Sequence, residues 1–192
     1  MRNFLVITLA LFIYLNSLIA QENNLPPLLN GLNKNDRLLK GTPTAFLSDQ
    51  YSLLVLRKVE DNWLLNDEYL LGIGKKNNKW YRLEVRAGHA FSDSTAITIK
   101  SVRLADSTGN RIWQLLQDNQ LFTMLDERTE PRPTCSAAIF DAGVCVIEIV
   151  VNGQYKKLSF DTPEFYEQRC PAQVIRTRFI RCFNALNIVR YK

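Results

Sequence analysis

Residues 145–160 read CVIEIVVNGQYKKLSF and carry the clearest local signal in the chain, that of a β-hairpin. Asn152-Gly153 lies between two runs rich in β-branched and apolar residues. Asn-Gly is a preferred two-residue hairpin turn because both of its positions need a positive φ angle. The turn sets a register in which Glu148 faces Lys157, and an opposite-charge pair on one rung stabilises that register. The same register also pairs Val151 with Gln154, Val150 with Tyr155 and Ile147 with Leu158.

A second hairpin is predicted where EYLLGIG (68–74) and KWYRLEVRA (79–87) flank KKNN. Apolar and charged side chains alternate along the second arm, which is the period of a half-buried strand. Four other short apolar runs also read as strands. These runs are YSLLVLRKV (51–59), TAITIKSVRL (95–104), RIWQLL (111–116) and LFTML (121–125).

A helix pair is predicted after the Asn-Gly hairpin. Thr162 or Asp161 can cap the first helix, Pro163 suits its first position, and Glu164 complements the positive end of the helix dipole. Pro171 disfavours helical geometry in the residue before it, so a break is expected there. The second helix is predicted over about 172–186. Its apolar stripe, which must lie on the sheet, consists of Ala172, Ile175, Phe179, Cys182, Phe183 and Leu186.

These patterns predict an α+β fold. We expect a mainly antiparallel sheet or sandwich of about nine short strands, with the C-terminal helix pair packed on it. Residues 50–192 would form this single β-rich domain. Residues 21–49, rich in Asn, Pro and Gly, are predicted to be a leader that lies across the domain or is partly mobile.

The first 20 residues have the order of a secretory signal peptide: Arg2, then an apolar run, then small residues before QENN. An uncleaved anchor is the alternative, although polar residues shorten the apolar run below the ~18 residues that a spanning helix needs. Cleavage would leave 172 residues, a formal charge of +4 and no other membrane-spanning segment. We therefore expect an exported protein, periplasmic or extracellular.

The four cysteines are Cys135, Cys145, Cys170 and Cys182, and cysteines of exported chains are usually oxidised. The helix from Pro171 to Cys182 would span about 16 Å, beyond the ~7 Å that a disulfide tolerates between α-carbons. Cys170 and Cys182 would then reach back to Cys135 and Cys145 and link the helix pair to the sheet by two disulfides. Sequential pairing, 135–145 and 170–182, stays open and requires a broken second helix, and so do free or intermolecular thiols.

Candidate catalytic groups are sparse. His89 near Ser92 or Ser94 lacks the glycine elbow of a serine hydrolase, and a loop histidine is the simpler interpretation. The carboxylates Asp141, Asp161 and Glu164 would suit an acid–base hydrolase if they converged, but turn and helix-capping roles account for them. The pattern indicates no metal site and no cofactor.

The basic residues suggest one binding hypothesis. Arg178 and Arg181 are three apart on the second predicted helix and point away from its apolar stripe, with Arg169 and Arg176 flanking. They could contact a protein or an anionic envelope component, although a solvated helix face is the default. Nucleic acid is disfavoured by export and by the lack of a basic and aromatic stacking pattern.

The sequence thus favours an exported, non-catalytic binding domain, for example an inhibitor or an immunity protein, whose partner and oligomeric state it does not identify. A small secreted hydrolase that uses carboxylates or His89 is one alternative. A structural envelope component that acts by oligomerising is another.

Overall fold

The computed structural model describes residue 38 and residues 40–60, 67–89, 95–127, 143–170 and 174–187. Six strands in this part form one antiparallel sheet in the order β4-β3-β2-β1-β5-β6, so the expected α+β fold is confirmed. The elements in chain order are α1 (Pro43–Ser48), β1 (Leu53–Glu60), β2 (Asp67–Lys76), β3 (Lys79–His89), β4 (Thr95–Arg103), α2 (Asp106–Asp118), β5 (Val144–Val151), β6 (Gln154–Asp161), α3 (Pro163–Arg169) and α4 (Val174–Ala185).

The predicted count of about nine strands is wrong, since the described residues hold six. Residues 111–116, expected to be a strand, belong to helix α2, in which Gly109, Ile112 and Leu116 are buried on one side. Residues 121–125 form turns and irregular chain. A short apolar run fits a buried strand and a buried helix equally well, so periodicity could not separate the two.

Both predicted hairpins are confirmed. β5 and β6 pair in the expected register, with Glu148 opposite Lys157, and Asn152 has a φ of 48° in the turn. β2 and β3 are joined through Asn77 and Asn78, whose φ angles are 49° and 58°. Asparagine tolerates this left-handed region better than most residues, which is why both tight turns form.

One face of the sheet carries α2 and α4 and holds the larger core. Phe179 of α4 stacks on Phe160 of β6, with ring centroids 4.1 Å apart. Cys182, Phe183 and Leu186 are buried in the same cluster, with Ile175 packed at its edge. The predicted apolar stripe is therefore confirmed, except for Ala172, which lies outside the described residues.

The opposite face holds a second core that includes α1. Leu47 of α1 packs with Leu54 and Leu56 of β1, and Val150 of β5 joins them. Alternate residues of β1 thus enter different cores, because successive strand side chains point to opposite faces. Helix α1 falls within the segment predicted as a leader. The predicted signal peptide and residues 21–37 lie outside the described residues.

The helix pair departs from the prediction at its start. Thr162 has a φ of 32° and makes no side-chain cap, so the predicted Thr162 cap is wrong. Pro163 does occupy the first turn together with Glu164. Cys170 leaves the helical region with φ −131°, so α3 ends before Pro171, as the proline rule predicts.

The predicted disulfide linkage of the helix pair to the sheet is wrong. Cys145 of β5 and Cys182 of α4 are both thiols outside any disulfide. Cys182 is fully buried beside Phe179, where it packs as a small apolar residue. Cys170 is disulfide-bonded, and Cys135 lies outside the described residues. Helix α4 is therefore attached to the sheet by packing and by the hydrogen bond that Arg57 Nη1 donates to Phe183 O at 3.3 Å.

Gly109 lies where α2 packs directly on the side chain of Trp80 in β3. A Cβ at this position would overlap the indole of Trp80, whose Nε1 donates to Asn110 Oδ1 at 2.8 Å. Alanine normally favours a helix over glycine by ~1 kcal/mol, but Gly109→Ala should destabilise the protein by about 2 kcal/mol through overpacking. Urea unfolding measures the change, with the exposed Ser107→Ala as the control. Equal or higher stability of Gly109→Ala would contradict this packing.

Candidate binding surface

The four arginines predicted to bind a partner do not share one surface. Arg176 is only 4 % exposed, and its Nε and Nη2 both donate to Oε1 of Glu127. Its guanidinium carbon lies 4.8 Å from the centroid of the Tyr166 ring. Arg176 is therefore a structural residue that a partner cannot reach, because α4 turns it inward toward the chain that follows α2.

Glu127 and Asp126 explain why Arg176 is held there. Glu127 Oε2 accepts the backbone N–H of Asp161 at 2.7 Å, and Asp126 Oδ2 accepts that of Ser159 at 3.0 Å. Both N–H groups lie on the outer edge of β6, where no strand follows in the described sheet. The two carboxylates thus cover the C-terminal part of this edge, and Arg176 connects that part to α4.

Arg178 and Arg181 remain as candidate binding residues. Arg181 is exposed and Arg178 is half-buried, and their spacing of three places them on neighbouring turns of α4. Arg178 Nη1 donates to Gln120 Oε1 at 2.6 Å, which orients it beside the end of α2. Across the described ranges, neither arginine lies within ion-pair distance of a carboxylate. We call these two residues the arginine pair.

Arg169 occupies a different element, at the end of α3. It is exposed, and its guanidinium carbon lies 6.0 Å from the centroid of the Phe165 ring. Helices α3 and α4 are tied together by Thr177 Oγ1, which donates to Glu167 Oε1 at 2.8 Å. Arg169 can therefore assist the arginine pair only from the neighbouring helix.

A charged cluster on the α1 face was not predicted as a site. Glu148 Oε2 accepts from Thr44 of α1, and Glu148 Oε1 lies 3.4 Å from Lys58 Nζ. Lys58 and Lys157 also contact Glu60, at 3.1 Å and 3.0 Å. The Glu148–Lys157 rung was predicted, but the link to α1 depends on a contact 104 residues apart in sequence. The cluster anchors α1 on the sheet.

The charges of this cluster shift the pKa of Glu60. Burial raises that pKa, but hydrogen bonds from Lys157 and Lys58 outweigh burial and hold it below the ordinary value of 4.5. Glu60 is therefore ionised at neutral pH and joins the two lysines.

The residues of the hydrolase alternative do not form a described site. His89 is the last residue of β3, and its side chain is outside the described part of the structure. Asp141, Ser92 and Ser94 are also outside it. Asp161 and Glu164 are exposed at the end of β6 and the start of α3. Burial raises the pKa of Cys182 to about 12, so this thiol stays protonated and is a poor nucleophile.

Searches for other site types bear only on the described residues. Within these ranges no three His, Cys, Asp or Glu residues come together as metal ligands. The helices found there are too short or too polar to cross a bilayer. Comparison with protein-family models finds no match, and comparison with curated proteins finds no relative.

The buried ion pair gives a stability prediction. Glu127→Ala should lower the free energy of unfolding by about 3 kcal/mol or more, because it leaves Arg176 charged, buried and unpaired. The double variant Glu127→Ala/Arg176→Met should lose less than the sum of the single variants. Arg181→Ala should change stability by less than ~0.5 kcal/mol. Chemical denaturation of these three variants and of Arg176→Met measures the changes. Equal losses in Glu127→Ala and Arg181→Ala would contradict the assignment of Arg176 as structural and of Arg181 as a surface residue.

Glu60 gives a pH prediction. Because its pKa in the folded state is lowered, its contribution to stability is present above its unfolded pKa and is lost as pH falls through the folded value. Glu60→Gln should therefore be less stable than wild type at about pH 6, and the difference should close by about pH 3. Urea unfolding at both pH values tests this, with the exposed Glu164→Gln as the control. A difference that stays constant with pH would contradict it.

Proposed function

We propose that the protein is an exported, non-catalytic binding domain that recognises an anionic partner through Arg178 and Arg181. The observation that carries the proposal is the contrast between arginines on one helix. Arg176 is turned inward onto Glu127, whereas the arginine pair has no carboxylate partner in the described structure. The signal-like N-terminus supports action in the periplasm or outside the cell.

The contacts of two carboxylates, Glu127 and Glu148, also support the binding proposal. Both oxygens of Glu127 accept structural hydrogen bonds, and Glu148 is engaged by Thr44 and Lys58. These carboxylates secure the sheet edge and α1, so neither of them is available to neutralise the arginine pair. The net charge of +5 for the whole chain has the same sign as the arginine pair.

The chemistry of arginine limits the chemical groups that the partner can present at this surface. A guanidinium matches carboxylate and phosphate groups through paired hydrogen bonds, and two of them on adjacent turns would contact neighbouring anionic groups. An acidic protein surface, as bound by an inhibitor or an immunity protein, fits this requirement. An anionic component of the cell envelope fits it as well.

The test uses the exported protein as bait in its own envelope extract, and anionic vesicles in a separate sedimentation assay. Arg178→Glu/Arg181→Glu should lower capture at least about tenfold, because each reversal replaces attraction by repulsion. Bound material should also be released by salt.

The matched control is Lys40→Glu/Lys79→Glu, which makes the same charge change at two exposed positions away from α4. The control should bind like wild type. An equal loss of binding in both double variants would mean that capture depends on net charge and not on the position of the arginine pair. Unchanged binding by Arg178→Glu/Arg181→Glu would remove the arginine pair from the proposal.

A further inference from the structure

The two edges of the described sheet differ in the groups that contact their outward backbone N–H groups. At β6, the carboxylates of Asp126 and Glu127 accept outward backbone N–H groups. At the other edge, β4 pairs with β3 over nine positions and has no further strand beside it within the described residues. An edge strand left in this state presents a row of N–H and C=O groups that can pair with another strand.

The register shows which groups of β4 point outward. Leu104 N donates to Trp80 O at 2.9 Å, and these two residues follow the pairing of Arg103 with Tyr81. In an antiparallel ladder, bonded pairs alternate with non-bonded pairs. Even-numbered residues of β4 therefore bond to β3, and the odd-numbered residues aim their N–H and C=O groups at the open edge. These residues are Thr95, Ile97, Ile99, Ser101 and Arg103.

The edge is exposed and rich in β-branched residues. Val102 is 45 % exposed, and Lys100 and Ser101 beside it are exposed as well. Ile97 and Ile99 are half-buried and pack against the core on the α1 face. An added strand would thus gain backbone hydrogen bonds and extend an existing apolar cluster.

We propose that β4 pairs antiparallel with β4 of a second copy of this chain, about a two-fold axis at Ile99. Each of the five outward residues would donate and accept one backbone hydrogen bond, and the two sheets would become one. The pairing places Ile99 opposite Ile99 of the second copy. The remaining rungs pair Ile97 with Ser101, Thr98 with Lys100, Ala96 with Val102 and Thr95 with Arg103.

The sequence of the strand favours a second copy as the occupant. In this register each positive side chain, Lys100 or Arg103, faces a threonine of the other copy, so no rung opposes like charges. Lys100 also lies opposite Glu84 on β3, which offsets its charge within each copy. A two-fold interface must be self-complementary, and this strand satisfies that condition.

The inference does not depend on the proposed function, because it uses neither Arg178 nor Arg181. The interface joins two backbone edges and few side chains, so it falls in the size class of weak, reversible contacts. We expect a monomer–dimer equilibrium that shifts with protein concentration.

Sedimentation velocity of the exported protein over a range of concentrations tests the proposal. Wild type should dimerise, whereas Ile99→Lys and Ile99→Glu should each weaken dimerisation at least about tenfold by opposing like charges at the axis. Mixing the two variants should restore a one-to-one heterodimer, because opposite charges then face each other. Val174→Lys, an equivalent change at an exposed site on α4, should dimerise like wild type.

Ser101→Pro is a second variant, which keeps every apolar core side chain and loses only the hydrogen bond between Ser101 Oγ and Tyr51 Oη. The side chain of Ser101 is exposed, and its N–H points outward, so proline removes an intermolecular donor while the β3–β4 ladder keeps its bonds. It should also weaken dimerisation, with thermal melting confirming a folded protein. A monomer at every concentration would overturn the proposal. So would a dimer that all three β4 variants leave intact, or a dimer that mixing does not restore.

Discussion

The ion pair between the buried Arg176 and Glu127 organises the side of the sheet on which α4 packs. It joins three parts that are distant in sequence: helix α4, the chain after α2, and the outer edge of β6. Glu127 can close that edge only because Arg176 compensates its charge, since an unpaired buried carboxylate would be costly. The pair thus holds α4 over the core, and it also determines which arginines of α4 face solvent.

Packing attaches α4 to the sheet where a disulfide from Cys182 was expected. Cys182 is buried among Phe179 and Phe183, and Cys145 packs against the same cluster. These two cysteines, which the sequence predicted to form disulfides, instead pack as small apolar residues. On the opposite face, Thr44 and the Lys58–Glu148 pair attach α1 to the sheet. Each layer is therefore secured by burial together with a polar contact of long sequence separation.

The candidate site was only partly predictable. Helical spacing correctly placed the apolar stripe of α4 against the sheet and left Arg178 and Arg181 outside it. The same spacing could not show that Arg176 turns inward, because its partner Glu127 lies 49 residues away. The position of β4 at the edge of the described sheet was not predictable either, since the sequence of a strand does not show where the strand lies in the sheet. Whether a strand lies at the edge or in the centre depends on the strand order of the sheet. That order depends here on the pairing of β1 with both β2 and β5.

Four local features were predictable from the residues alone: two hairpins, the helix break before Pro171 and the apolar face of α4. Turn chemistry, proline geometry and side-chain periodicity act over a few residues, so they can be read without the fold. Three other features follow from contacts between distant segments: residues 111–116 are helical, Cys145 and Cys182 remain thiols, and Arg176 is buried. Those outcomes depend on which distant segments meet, and the energy of such contacts comes from burial and charge compensation across the folded chain.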